Sequence, residues 1–190
     1  NDAAMIDNYL KHIDSDFVMY ATSGRIQTTY RMVRHMASHE GAHTFLEPIE
    51  NSPNARLTLG MKNVSPAEVL EQVLHLFNRY DYNVNRAFIV RFQSGYDEPI
   101  TVMHFNVGQD ADEKVDPNAV SMLRLNKALR TLGWVDVDEY ADLTKQPHGF
   151  SVNAANLIRA FATWCHVMLG KENPYYYSQY KIRTTFFKYT

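Results

Sequence analysis

The 190-residue chain holds one cysteine, Cys165, so no disulfide can form within it. A disulfide-stapled scaffold is excluded, and a reducing, cytoplasmic setting is the simplest expectation. Long apolar runs are also missing: none approaches the length of a membrane span, and no charged-then-apolar signal segment opens the chain. Charge of one sign is missing too. Its 19 basic residues are scattered among 21 acidic ones, for a formal net charge of -2. Without a basic stripe, attraction to nucleic-acid phosphates or anionic lipid is weak, and neither is an expected partner.

Several chemical signatures are absent as well. Neither Gly-x-Gly-x-x-Gly nor Gly-x-x-x-x-Gly-Lys-Ser/Thr occurs, so no glycine-rich turn brings phosphate to helix amides, and no cofactor is expected in this chain. No Gly-x-Ser-x-Gly elbow occurs, and Cys165 falls in an apolar helical pattern that predicts a core thiol, not a nucleophile. Phe88, Phe92 and Phe105 sit on strand patterns. They lack the basic-Gly-aromatic context of RNA-stacking sheets and read as core.

What is there is ordinary globular material, 45% apolar and 21% charged. Met5, Ile6, Tyr9, Leu10 and Ile13 follow helical spacing over 2–13, and Ser15 to Thr22 reads as a link. Ser23 can cap a second helix carrying Ile26, Tyr30, Val33 and Met36, with Gly41 as its stop. Thr44 to Ile49 reads as extended, and Leu57, Leu59 and Met61 alternate with Arg56, Thr58 and Lys62 as a half-buried strand. Ser65, Pro66 and Glu68 make a capping box with proline at the first helical position. Val69, Leu70, Val73, Leu74 and Phe77 are the expected buried face of that helix.

Residues 82–92 and 100–107 read as two strands joined by the turn Ser94 to Pro99. A helix is expected from Asp116-Pro117 to Gly133, carrying Val120, Leu123, Leu125 and Leu129. No strand pattern follows in 134–149, so Thr44 to Ile49 is predicted to pair antiparallel with Arg56 to Lys62 and fill the free sheet edge. The expected class is α+β: a ferredoxin-like antiparallel sheet with two covering helices, flanked by N-terminal and C-terminal helices. The predicted divisions are 1–42, 43–149 and 150–190. In the last, Leu157, Phe161, Trp164, Cys165 and Met168 share one side of a long helix, and Asn173-Pro174 opens a tyrosine-rich one. These faces need cover from the core, another subunit or a further domain. The chain starts without an initiator and stops while a helical pattern still runs, so a piece of a larger chain is expected.

Two patterns carry candidate chemistry. His39-Glu40-Gly41-Ala42-His43 matches His-Glu-x-x-His, which binds zinc when a continuous helix places both histidines one turn apart. Gly41 interrupts such a helix, the strand pattern begins after His43, and Leu46 and Ile49 stand where the extended motif needs glycine and histidine. His39, Glu40 and His43 are therefore rejected as a metal site, and His35 joins them as part of a solvated histidine row. The second pattern is the strand-to-helix turn Gly60, Met61, Lys62, Asn63, Val64 and Ser65, whose amides at a positive helix end can hold a small carboxylate. A well-capped helix with no ligand explains it equally.

The stretch Arg56-Leu57-Thr58-Leu59, Asn63-Val64-Ser65-Pro66-Ala67-Glu68-Val69-Leu70 and Tyr82-Asn83-Val84 resembles an ACT-type regulatory domain. Asn156-Leu157-Ile158-Arg159-Ala160-Phe161 and Tyr180 to Phe187 resemble the segment that follows the ACT-like region in large NAD-specific glutamate dehydrogenases. Ala67 stands where ACT sequences carry glycine. The resemblance implies a non-catalytic regulatory and oligomer-forming region of such an enzyme, with NAD held elsewhere in the parent. It also implies an amino-acid effector at Gly60, Lys62, Asn63, Val64 and Ser65, bound between subunits of a homo-oligomer. An ACT-like sensing or interaction domain of another enzyme, and a zinc hydrolase using His39 and His43, are the rival expectations.

Overall fold

The computed structural model describes residues 2–93, 98–109, 113–132, 139–144 and 149–189. They fall into two compact units, Asn1–Asp136 and Val137–Thr190. The architecture is α+β, with a four-stranded antiparallel sheet and seven α-helices among the described residues.

Three helices open the first unit: α1 (Asp2–His12), α2 (Ser15–Tyr20) and α3 (Ser23–Ala37). The expected link is therefore helical. The Asp14 carboxylate starts it by accepting the Asp16 amide at 2.8 Å. Thr22, not Ser23, caps α3, its hydroxyl accepting from the Arg25 amide at 3.4 Å. The helix ends at Ala37, short of Gly41, whose φ of 82° serves the turn into the sheet.

The sheet elements follow: β1 (His43–Pro48), β2 (Ala55–Lys62), α4 (Pro66–Arg79), β3 (Asn83–Phe92), β4 (Ile100–Gly108) and α5 (Val120–Leu129). The strand order is β1-β2-β4-β3 with every neighbouring pair antiparallel. As expected, β1 occupies the free edge of β2, pairing Thr44 with Leu59 and Leu46 with Leu57. β2 and β3 run parallel with β4 between them, which makes β2-α4-β3 a split crossover. A register irregularity between Val84 and Arg86 interrupts the β3–β4 ladder.

Both faces of the sheet are covered. On one, Tyr9 of α1 and Met32, Val33 and Met36 of α3 pack on Val90, Phe92, Ile100 and Val102. On the other, Leu57, Leu59, Met103 and Phe105 are buried together with Val73, Leu76 and Phe77 of α4 and Met122, Leu125 and Leu129 of α5. The Phe77 and Phe105 rings lie 5.1 Å apart. Burial of each such side chain is worth about 1.5–3 kcal/mol. This second layer corrects the half-buried reading of β2, because α3 also covers Thr58.

Other corrections concern which helix face turns inward. On α4 the stripe Val69, Val73, Leu76 and Phe77 is buried while Leu74 is exposed, since Leu70 and Leu74 lie a step around the helix at the stripe's margin. α5 begins at Val120, because the Asp116 carboxylate accepts the Asn118 amide at 2.9 Å and holds the preceding residues in a turn. Val120 and Leu123 are exposed. The turn at 94–97, Gly133 and most of the strandless 134–149 segment lie outside the described residues.

The second unit contains a 3-10 helix (Glu139–Thr144), α6 (Val152–Leu169) and α7 (Gln179–Tyr189). Its core joins Tyr140, Leu143, Ala155, Ala162 and Ile182, with Ile158 and the half-buried Cys165 packed against it. The inward stripe of α6 is thus made largely of small residues. Leu157, Phe161, Trp164 and Met168, expected together with Cys165, form the adjacent exposed stripe, with Trp164 56% exposed. α7 starts after the expected Asn173-Pro174 because the Asn173 side chain accepts the Tyr176 amide at 3.0 Å, closing a turn over the tyrosines.

Gly60 marks the closest approach of helix to sheet. A Cβ built there would lie 2.5 Å from Met32 Sδ and 3.0 Å from Met36 Cγ. Gly60→Ala is expected to destabilise the protein by about 1–3 kcal/mol in urea unfolding, because both methionines are buried and must shift.

Candidate functional site

The α3-facing side of the sheet carries its polar chemistry in rows set by strand register. Glu47, Arg56, Asn106 and Arg86 form one row across β1, β2, β4 and β3. The next row is Phe45, Thr58, His104 and Phe88, and the third is His43, Gly60, Val102 and Val90. Strand alternation predicts such rows, but only the helix above decides which are wet.

His104 is wholly buried, and two hydroxyl partners fix its state. Thr29 of α3 donates its hydroxyl proton to the Arg25 carbonyl at 2.8 Å, so it accepts from His104 Nε2 at 2.7 Å. Nδ1 then accepts from the Thr58 hydroxyl at 3.0 Å. Both ring nitrogens are satisfied in the neutral form. Burial first, then the charges of Arg25 and Arg56, push the imidazole pKa down to about 3.

At the opposite end of α3 the candidate zinc motif takes a different shape. Helix α3 ends at Ala37 and His43 opens β1, so His39 and His43 are not one helical turn apart. The rings of His35 and His39 stack at 3.9 Å, and His35 meets His43 edge-on at 4.5 Å. His43 Nε2 donates to the Glu40 carbonyl at 2.9 Å, which leaves its Nδ1 to accept from His35 Nε2 at 2.9 Å. His39 Nδ1 donates to the His35 carbonyl at 2.8 Å. Both nitrogens of His43, with His35 Nε2 and His39 Nδ1, are thus turned on one another and on the backbone. Among the described residues no group of three histidine, cysteine or acidic side chains is arranged to hold a metal.

The turn from Gly60 to Ser65 is likewise engaged with its own chain. The Gly60 Cα faces Met32 and Met36. Lys62 pairs with Glu40 at 2.8 Å and lies 3.9 Å from Glu98. Asn63 adopts a left-handed φ of 54° and donates its amide to the Pro99 carbonyl at 2.8 Å. The Val64 carbonyl accepts from the Thr101 hydroxyl at 3.0 Å, and the Ser65 amide donates to the Glu68 carboxylate at 3.3 Å, as a capping box requires. Glu40 thereby links the histidine row to the turn.

Two groups escaped the sequence reading. His104 looked like an unremarkable strand residue, although its alternation with the apolar Met103 and Phe105 put it on a defined face. Arg25, Arg56 and Arg86 are scattered in sequence, and only register and the position of α3 bring them together.

Two titrations follow. The unfolded chain protonates His104 near pH 6.5 and the fold only near pH 3, so stability is intact above 6.5 and declines as pH falls toward 3. Urea unfolding should lose about 1.4 kcal/mol per pH unit in that window, and His104→Asn should remove about one proton from the slope. Parallel profiles for the two proteins would refute the assignment. His35 is also held below 6.5, by burial first and then by His39 and His43. Its proton NMR titration should show a midpoint under that of free imidazole, moving upward in His43→Ala.

Compared with protein-family models and with curated proteins, the chain matches none.

Proposed function

We propose that this chain is the regulatory and assembly region of a large NAD-dependent glutamate dehydrogenase, itself non-catalytic, with NAD and the reacting groups in the remainder of the parent. The observation that carries this reading is the sheet. The order β1-β2-β4-β3, with β2-α4-β3 split around β4, supports a ferredoxin-like unit of ACT type. β1 stands where such a unit has its closing strand.

The sequence likeness of 56–70 and 82–84 to ACT domains falls on β2, α4 and the start of β3; the first strand, the turn and the first helix are the elements on which that family binds amino acids. In this reading the turn Lys62 to Ser65 meets an amino-acid effector where two subunits come together. The exposed Leu157, Phe161 and Trp164 supply apolar surface of the kind that subunit contacts cover.

Calorimetric titration of the assembled, full-length parent with a panel of amino acids tests the sensing role. At least one should give saturable heat that falls in Asn63→Ala and Ser65→Ala. Silence across the panel, together with a monomeric parent in sedimentation, would remove both roles. A parent sequence without a dinucleotide-binding fold would remove the dehydrogenase.

A further inference from the structure

Three guanidinium groups crowd the first turn of α3 without a counter-charge of their own. Arg56 and Arg86 flank Asn106 in one sheet row, on the face that α3 covers. Arg25, in the first turn of the helix, lies 3.7 Å above the Phe88 ring, and Arg86 reaches within 5.8 Å of the same ring. Arg56 Nη1 comes within 4.0 Å of a Cβ built at Gly24, so its charge sits beside the positive end of the helix.

Arg25 is only 6% exposed, and its Nε and that of Arg56 are both buried without a hydrogen-bond partner. Among the described residues no carboxylate pairs with Arg25, Arg56 or Arg86. The carboxylate in the row, Glu47, is already taken by the Thr28 hydroxyl at 2.8 Å and by Arg31 at 2.9 Å. Burial, and then repulsion from Arg56 and Arg86, disfavours the Arg25 charge. Like charges gathered beside a helix N-terminus destabilise a fold unless an anion joins them.

We propose that Arg25, Arg56 and Arg86, with Asn106 and the first turn of α3, form a binding site for the phosphate group of a small molecule. The charges select the ligand. Three guanidiniums with no carboxylate of their own leave an excess of positive charge that a dianion offsets further than a single carboxylate does, and phosphate carries about -1.5 to -2 at neutral pH. Guanidinium forks also match its oxygens in pairs. The unpartnered Nε groups lie beneath the helix, while Arg86 is exposed and marks the open side. That depth suits a recessed small anion better than a polymer lying along the surface.

The test is calorimetric titration of the whole chain at low ionic strength with inorganic phosphate, glycerol phosphate and succinate, against chloride at equal ionic strength. Phosphate should bind saturably at one site. Arg56→Gln and the exposed Arg86→Gln should each weaken it roughly tenfold, while Arg91→Gln, exposed on the other face of β3, leaves it unchanged. Tighter binding of glycerol phosphate than of phosphate assigns the site to an esterified metabolite, and the reverse assigns it to the free ion. No saturable heat beyond chloride, undiminished affinity in both arginine variants, or a preference for succinate would overturn the proposal. Circular dichroism of each variant separates lost binding from lost fold.

Discussion

The contact on which the first unit depends is that of Met32 and Met36 against Gly60. With no side chain at that point, α3 settles onto the middle of the sheet, and the methionines fill the space a Cβ would need. From this seat the rest of the helix is aimed: Thr29 falls over His104 on one side, and His35 falls over His43 on the other. A bulkier residue at position 60 would lift α3 from both.

The polar groups under α3 act as keys in an otherwise apolar layer. An apolar helix slides on an apolar sheet at small cost, whereas the Thr29–His104–Thr58 chain is satisfied in one register only, and a shift would leave buried donors unmet. The histidine row and the Lys62–Glu40 pair do similar work at the other end, at lower burial. The arginine row differs in kind, because its groups are brought together without mutual satisfaction. Structural keys and a receptive patch thus occupy the same face and are told apart by whether their hydrogen bonds close.

Much of this architecture was legible from the residues. Alternation at Leu57, Leu59 and Met61 located β2, the Ser65-Pro66-Glu68 box located α4, and the extended reading of Thr44 to Ile49 placed the edge strand. What escaped is what depends on a second layer. Thr58 and Arg56 carry the pattern of a solvent face, and nothing local says that a helix some thirty positions earlier will cover them. On α6 the large apolar residues suggested the inward stripe, but the inward side is the one whose alanines permit close packing of helices. Size argued one way and fit the other. The junction of β2 and α4 was located from the residues, and its Ser65–Glu68 bond follows from the capping box, while the hold of Pro99 on the Asn63 amide and of Thr101 on the Val64 carbonyl was invisible without the neighbouring β4.

The sheet's terminal strands bear on how such a unit behaves at high local concentration. β1 ends in Pro48, which has no amide to offer, and β3 breaks its ladder between Val84 and Arg86 and carries Arg86 and Arg91 along its length. Irregular spacing, a missing donor and repelling cations at the margins oppose recruitment of foreign strands. Copies crowded together are thereby steered away from fibre-like stacking, and any ordered association is left to helical surfaces.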